Sequence, residues 1–363
     1  MILILALAVA AQQQPAWKVA AQPKVRIGEI EAEEPYMFAQ VSGAVRLSDG
    51  RIVVANGGSN ELRVYTAEGR HIATHGRTGG GPGEFQALRA LWFFPGDTVM
   101  AMDTRIGRLS VYDASMKLVR AEQIRPIPGA VGRLANGSYL ATQGLAPPEK
   151  RTDFRGLIEF EGLVLRLPPG GTVYDTIVRG VKAGQSFVQP VGNSWRQYPF
   201  PYGRSAQIGI GRTRFYYGDT HSTEIGIYDM NGQPIGKVKV RGSGRELTPV
   251  HIQKWVDFEV DKRTTEEAKT NARSDFKQIP ANKRSPEFAA LKVDDAGNLW
   301  VRRYGPPWDP SPDWDIYTAD GRPLGNVRLP VRFEPMHIGR EFVLGVTRGE
   351  LDVERVELYT LTR

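Results

Sequence analysis

Cysteine is absent from the 363 residues, which removes disulfides, thiolate metal sites and a lipobox cysteine for membrane tethering. Stability must therefore come from packing. After the N-terminus no apolar run is long enough to span a bilayer as a helix, so no membrane span is expected. Histidine is scarce: His71, His75, His221, His251 and His337 form no His-x-x-His or His-Glu-x-x-His pattern. Gly-x-Ser-x-Gly is missing, and no His/Asp pair is recognisable around any serine, which leaves serine nucleophiles without support. The net charge of +7 is moderate, and Lys and Arg are interspersed with Asp and Glu. With no basic stripe, a nucleic-acid partner is not expected.

What is plentiful is punctuation. Forty glycines and 25 prolines spread along the chain suit many short strands joined by tight turns, and argue against a helical enzyme. The first ten residues are an apolar stretch ending in Ala8-Val9-Ala10, which reads as a secretory signal peptide cleaved after about Ala10, with a buried first strand as the alternative. No Lys or Arg precedes that run, so a start upstream of Met1 stays open. The expectation is an exported protein, periplasmic or extracellular, with a linker over 11–23 and a single domain over 24–363.

From residue 41 apolar and polar positions alternate in short runs between Gly, Asp and Asn turns, the period of strands. Residues 41–85 hold four of them, at 42–47, 51–55, 61–66 and 70–76. A tyrosine before a tight turn marks the third strand of each unit, at Tyr65, Tyr112, Tyr228 and Tyr317, and Tyr359 ends the chain. A diverged copy, "LVLRLPPGGTVYDTIVRG" at 163–180, brings the count to six. Four-stranded antiparallel units of roughly 45–60 residues are propeller blades. The predicted fold is thus all-β, a six-bladed β-propeller of four-stranded antiparallel blades. Its last unit has three strands, and the N-terminal segment 25–30 is predicted to supply the missing one, closing the final blade. Residues 248–285, opened by Thr248-Pro249 and stopped by Ile279-Pro280, read as a helical insertion between blades four and five.

The first unit carries a family likeness. Its "LSDGRIVVAN" (47–56), "NELRVYTAEGRHIATHG" (60–76) and "GGGPGEF" (79–85) resemble the NHL repeat, as do "VDDAGNLWV" (293–301) and "RLSVYDASMKLV" (108–119), where Arg108 stands where the first unit has Arg63. About half the chain matches in detail. In the "GGGPGEF" junction the glycines serve backbone shape, Phe85 is expected to pack beneath, and Glu84 to accept nearby backbone amides. NHL-type propellers include protein- and RNA-binding modules, and related six-bladed rings include lactonases and a peptide-amidating lyase. The resemblance alone selects no function.

Blade geometry turns loop lengths into a map. First-to-second and third-to-fourth strand connections share one face of the ring; the others share the opposite face. The first face has minimal turns, such as Ser48-Asp49-Gly50 and Ala135-Asn136-Gly137. The second carries 143–156, 180–203, 218–223, the insertion and 304–314, all expected to be long loops. Ligand binding is expected there. Its candidate residues are Trp195, Tyr202, Tyr304 and Trp308, with Lys150, Arg155, Arg302 and Arg303 at the fringe, in a groove for a protein, a peptide, a glycan or a small molecule. The competing reading is that these aromatics only pack the loops onto the ring. No cofactor is expected, and a monomer is. The catalytic alternative is a lactonase-like hydrolase or lyase with a divalent cation such as Ca at the axis. Its ligands would be Asn56, Asp103 and Asp219, with Gln143, at equivalent second-strand ends, where polar residues also cap turns.

Overall fold

The computed structural model describes residues 17–29, 33–124, 130–146, 154–171, 173–191, 194–349 and 352–363, which leaves the expected signal peptide outside. The period-two segments form six antiparallel sheets that follow one another in chain order. Sheet one runs Val41–Arg46, Ile52–Asn56, Glu61–Tyr65, His71–His75, each strand paired with the next. Sheets two, four and five repeat that meander over Leu88–Phe94 to Leu118–Gln123, Ala206–Ile210 to Pro234–Lys239, and Phe288–Val293 to Pro323–Arg328.

Second strands are buried on both faces, which is why Ile52–Asn56 is an unbroken apolar run up to its terminal amide. Each sheet packs on the next. Val53 and Leu62 share a cluster with Leu91 and Ala101 of sheet two. Tyr216 and Ile227 of sheet four share one with Leu299 and Val301 of sheet five. The last sheet packs on the first, where Leu344, Val346 and Leu358 meet Val41, Ile52 and Val54. Six sheets in this cyclic order of contacts are the arrangement of a β-propeller.

Sheet six contains Phe333–Ile338, Phe342–Arg348 and Glu354–Thr362, and the N-terminal strand Val25–Ile27 pairs with the last of these, Val25 opposite Leu358 and Ile27 opposite Val356. A second N-terminal strand was not expected. Within the segment read as a linker, Lys18–Val19 pairs with Leu361 and Thr362. It is drawn in by Trp17, which is 5% exposed, packs edge-on against Trp300 at 5.7 Å, and carries the Arg363 guanidinium over its ring.

Sheet three also departs from four strands. Gly156–Leu167 and Asp175–Val191 form one long hairpin, in register from Gly156↔Val188 to Arg166↔Asp175, and Ser194–Pro199 adds a fifth strand. The stretch 180–203, expected as a loop, is therefore mostly sheet. Gly180 and Gly184 interrupt the apolar alternation, and the register shifts at Phe160/Glu161 and Gly162/Val164 absorb the irregularity.

The junction residues explain the repeat pattern. Phe85 is fully buried, and Gly76 approaches it so closely (φ +84°) that a Cβ would stand 2.8 Å from the ring. Glu84 accepts the Gly81 N–H at 2.7 Å and pairs with Arg77; the amide bond above all holds its carboxyl below the usual range. Third-strand arginines clamp the chain entering their own sheet. Arg63 donates to the carbonyls of Glu34 and Met37, each at 2.7 Å, and Arg108 to those of Gly80 and Glu84.

Between sheets four and five lie α1 (Pro249–Asp261) and α2 (Glu266–Phe276). The Thr248 amide donates to His251 Nδ1 at 3.0 Å, and Thr265 Oγ1 accepts the Ala268 amide at 3.2 Å, each helix start using the capping chemistry its sequence offers. Trp255 and Phe276 face inward and cross at 5.4 Å with rings at 90°.

Candidate functional site

The hairpin of sheet three, the segment 200–205, the turn 218–223, both helices and the segment 304–308 meet on one face, the one where connections are long. An open cavity of about 600 Å³ lies among them, lined by Gln185, Phe200, Tyr202, Arg204, Trp255 and Tyr304, among others. A smaller cavity of about 310 Å³ shares Gln185, Ser186, Arg204 and Ser205 with it and reaches Gln143.

Local chain geometry sets the walls. Phe200 to Gly203 form a turn closed by the Gly203 amide on the Phe200 carbonyl at 2.8 Å, with Tyr202 in the left-handed region at φ +52°. That places the Tyr202 ring 6.3 Å from Tyr304 and lets its hydroxyl donate to the His251 carbonyl of α1 at 3.2 Å. Burial pushes the Tyr304 hydroxyl well above its ordinary pKa, so it stays a neutral donor. Beneath the aromatics runs a polar network. Gln185 Oε1 accepts from the Arg204 amide at 3.1 Å and from Asn282 Nδ2 at 2.8 Å. Arg204 pairs with Asp219 at 2.6 Å and lies 3.7 Å from Glu159. His221 Nε2 is 3.0 Å from the Tyr202 carbonyl. A carbonyl only accepts, so Nε2 carries the proton, and burial lowers the imidazole pKa.

Of the residues expected to bind ligand, Tyr202 and Tyr304 share this cavity's wall. Trp308 stands beside it, half-buried against Phe258 at 5.6 Å. The arginines are engaged internally. Arg303 forms a two-pronged pair with Asp315 at 2.7 and 2.9 Å, which raises its pKa. Arg302 bonds the Ser311 carbonyl and Glu334. Arg155 bonds Gln278 just past α2. Lys150 lies outside the described residues, as does the side chain of Trp195, whose backbone pairs opposite Pro190. Sequence reasoning passed over Gln185, Arg204 and Trp255. Trp255 could have been found as the largest apolar residue of α1, whose apolar positions Ile252, Trp255, Val256 and Val260 recur at helical spacing.

The residues considered as cation ligands serve turns. Asn56 accepts the Ala39 amide at 2.9 Å and donates to Ser59. Asp103 accepts the amides of Gln86, Arg105 and Ile106 at 2.5, 2.9 and 3.2 Å. Asp219 accepts the His221 amide and holds Arg204. Among the described residues no group of three or more His, Asp or Glu is placed to hold a metal ion.

No protein-family model matches the chain, and none of the curated proteins does. Solved structures do. A member of the DUF4221 family from Bacteroides vulgatus superposes with a TM-score of 0.56 at 9% identity, over 97% of this chain and 100% of that one. A protein from Bacteroides fragilis described as exported gives 0.48 at 11% identity, over 95% and 98%. Regucalcin, a calcium-binding protein from Agrobacterium tumefaciens, gives 0.41 at 13%, over 96% and 97%. At these identities the likeness is one of fold, and the chain is a β-propeller.

Proposed function

We propose that the chain is an exported, NHL-like propeller of six blades, closed by its N-terminal strands, that binds a polar ligand such as a glycan or a peptide on its loop-rich face. One observation carries the binding role: Tyr202 and Tyr304, packed side by side with centroids 6.3 Å apart, form part of the wall of an open cavity of about 600 Å³ whose remaining lining mixes rings with amides. Aromatic rings offer contact area at low entropic cost, and Gln185, Ser186 and Gln197 can replace a ligand's hydrogen bonds to water. Trp255 of α1 and Gln185 and Ser186 of the extended hairpin line that cavity, so part of their packing serves as its wall. The NHL reading is supported by the Arg63 and Arg108 clamps and by the "GGGPGEF" junction, whose parts do what that repeat requires of them. Export is supported by the apolar stretch over residues 1–10. The lactonase-like alternative draws little from Asn56, Asp103 and Asp219, whose side chains are spent on backbone amides.

The test is an array of oligosaccharides and short peptides, with each hit titrated by tryptophan fluorescence against wild type and Ala289→Trp. Ala289 lines the cavity and is half-buried, so the larger side chain fills the space. Affinity should be lost in the variant. An array with no saturable ligand, or hits that bind Ala289→Trp unchanged, would refute this face as the site.

A further inference from the structure

The opposite face, where every turn is short, has a cavity of its own on the propeller axis. It measures about 540 Å³ and is walled by the inner-strand ends of all six sheets: Val45, Phe93, Arg133, Ile210, Val293 and His337. Trp92, Phe94, Leu91 and Met336 add an apolar patch to a lining that also carries Arg120, Arg212, Lys292, Asp294 and Asp295.

Its charges are unevenly spent. Arg120 is paired with Glu122 at 2.6 Å and Lys292 with Glu334 at 3.3 Å. The Asp294 carboxylate is fully buried and consumed by the Asn298 amide, Asn298 Nδ2 and the Trp300 indole. Asp295 faces His337 Nε2 at 3.1 Å. His337 Nδ1 accepts the Arg46 amide at 3.0 Å, so the proton sits on Nε2 and is donated to Asp295. Two guanidiniums remain. Arg133 lies over the rings of Phe94 and Tyr139, each at 5.4 Å, and its Nε donates to the Gly137 carbonyl at 3.3 Å, with no ion pair among the described residues. Arg212 is exposed at the rim, and its guanidinium has neither a hydrogen bond nor an ion pair among them. These two belong to neighbouring sheets, and the Ala135 amide bonded to the Arg212 carbonyl at 2.7 Å locks their turns together.

We propose that this axial cavity is a second binding site, distinct from the one on the loop-rich face, and that it takes an amphipathic aromatic anion: a flat apolar body against Phe93 and Phe94, its carboxylate or sulfonate on Arg212 and Arg133. An arginine already stacked on rings is held ready for such a ligand, because little side-chain freedom remains to be lost. The rings of Phe93 and Phe94 shield one side of the ion pair, while Arg212 at the rim stays in contact with solvent, so salt screens its share of the attraction.

The probe is 1-anilinonaphthalene-8-sulfonate, followed by its fluorescence, with neutral N-phenyl-1-naphthylamine as the matched control. Wild type should bind the sulfonate saturably at one site per chain and more tightly than the neutral compound, with affinity falling as salt is added. Arg212→Ala should weaken the sulfonate about tenfold, the worth of one charge-assisted contact. Ala135→Trp, an exposed rim position, should abolish binding by covering the mouth, whereas Ala289→Trp on the other face should leave it unchanged. Both rim residues are exposed, so unchanged thermal midpoints are expected for their variants. Wild-type affinity in Arg212→Ala and Ala135→Trp would overturn the site, and equal affinity for the neutral compound would overturn its preference for anions.

Discussion

Replacing Trp255 with alanine separates the insertion from the propeller. Trp255 is 5% exposed and packs with Phe276, Phe200 and Tyr202. Emptying such a site costs about 4 kcal/mol from lost burial and the cavity left behind. Beside the apolar contacts of Val260, Ala272 and Ile279 in the same cluster, the ties to the helices are side-chain ones: the hydroxyls of Tyr202 and Tyr198 reach the His251 carbonyl and Asp275, Arg196 lies 3.5 Å from Asp275, Arg155 reaches Gln278, and Asn282 reaches Gln185. None is a sheet ladder, so the loss should fall on a local opening rather than on global unfolding. About 4 kcal/mol is roughly a 10³-fold rise in the opening equilibrium. Hydrogen exchange read by mass spectrometry should therefore show residues 249–276 losing protection by roughly that factor, with residues 52–65 of sheet one unchanged, while Trp255→Phe recovers most of it. Equal loss in both peptides would refute the argument, because the insertion would then be part of the global cooperative unit. Unchanged helices would refute the packing itself.

Ile27→Ala should cost about 3 kcal/mol in urea denaturation, because Ile27 is 1% exposed between the sixth and first sheets; a cost below about 1 kcal/mol would mean the N-terminal strand is not part of the core. Asp103→Ala should cost about 2 kcal/mol by leaving three part-buried amides without their acceptor, and added calcium should change neither wild type nor variant; a calcium-dependent midpoint would favour the metal reading. Burial lowers the folded-state pKa of His221 below its ordinary 6.5, so its contribution is present above about pH 6.5 and is lost as pH falls toward the folded value. The thermal midpoint should accordingly drop between about pH 7.5 and about pH 5, and drop less in His221→Gln; His75, lowered for the same reason, keeps part of the drop in the variant. Identical pH profiles would refute the assignment.

Much of the architecture was legible in the residues because it is local. Alternation, turn glycines and recurring third-strand tyrosines each act within a few positions, and repetition multiplies a weak signal six times. Pairing of residues 25–27 with the last strand followed from counting, since a three-stranded final unit leaves an open edge. The strand at Lys18–Val19 did not, because its anchor, Trp17 against Trp300, joins residues far apart in the chain. The long hairpin of sheet three was hidden by its glycines, and only cross-strand register reveals it.

The candidate sites divide along the same line. Loop length, a chain-local quantity, pointed to the face bearing Tyr202 and Tyr304. It could not foresee that Arg302 and Arg303 would be neutralised by Glu334 and Asp315, nor that Asp103 would satisfy turn amides. It was silent on the axial cavity, which is assembled from residues of all six sheets with no long loop to mark it. The chain alone determined strand period, repeat count, turn chemistry and the place of a helical insertion, because neighbours in sequence decide those. Which charges are left unspent and where space remains were decided only by tertiary packing, because both depend on partners that sequence distance does not encode.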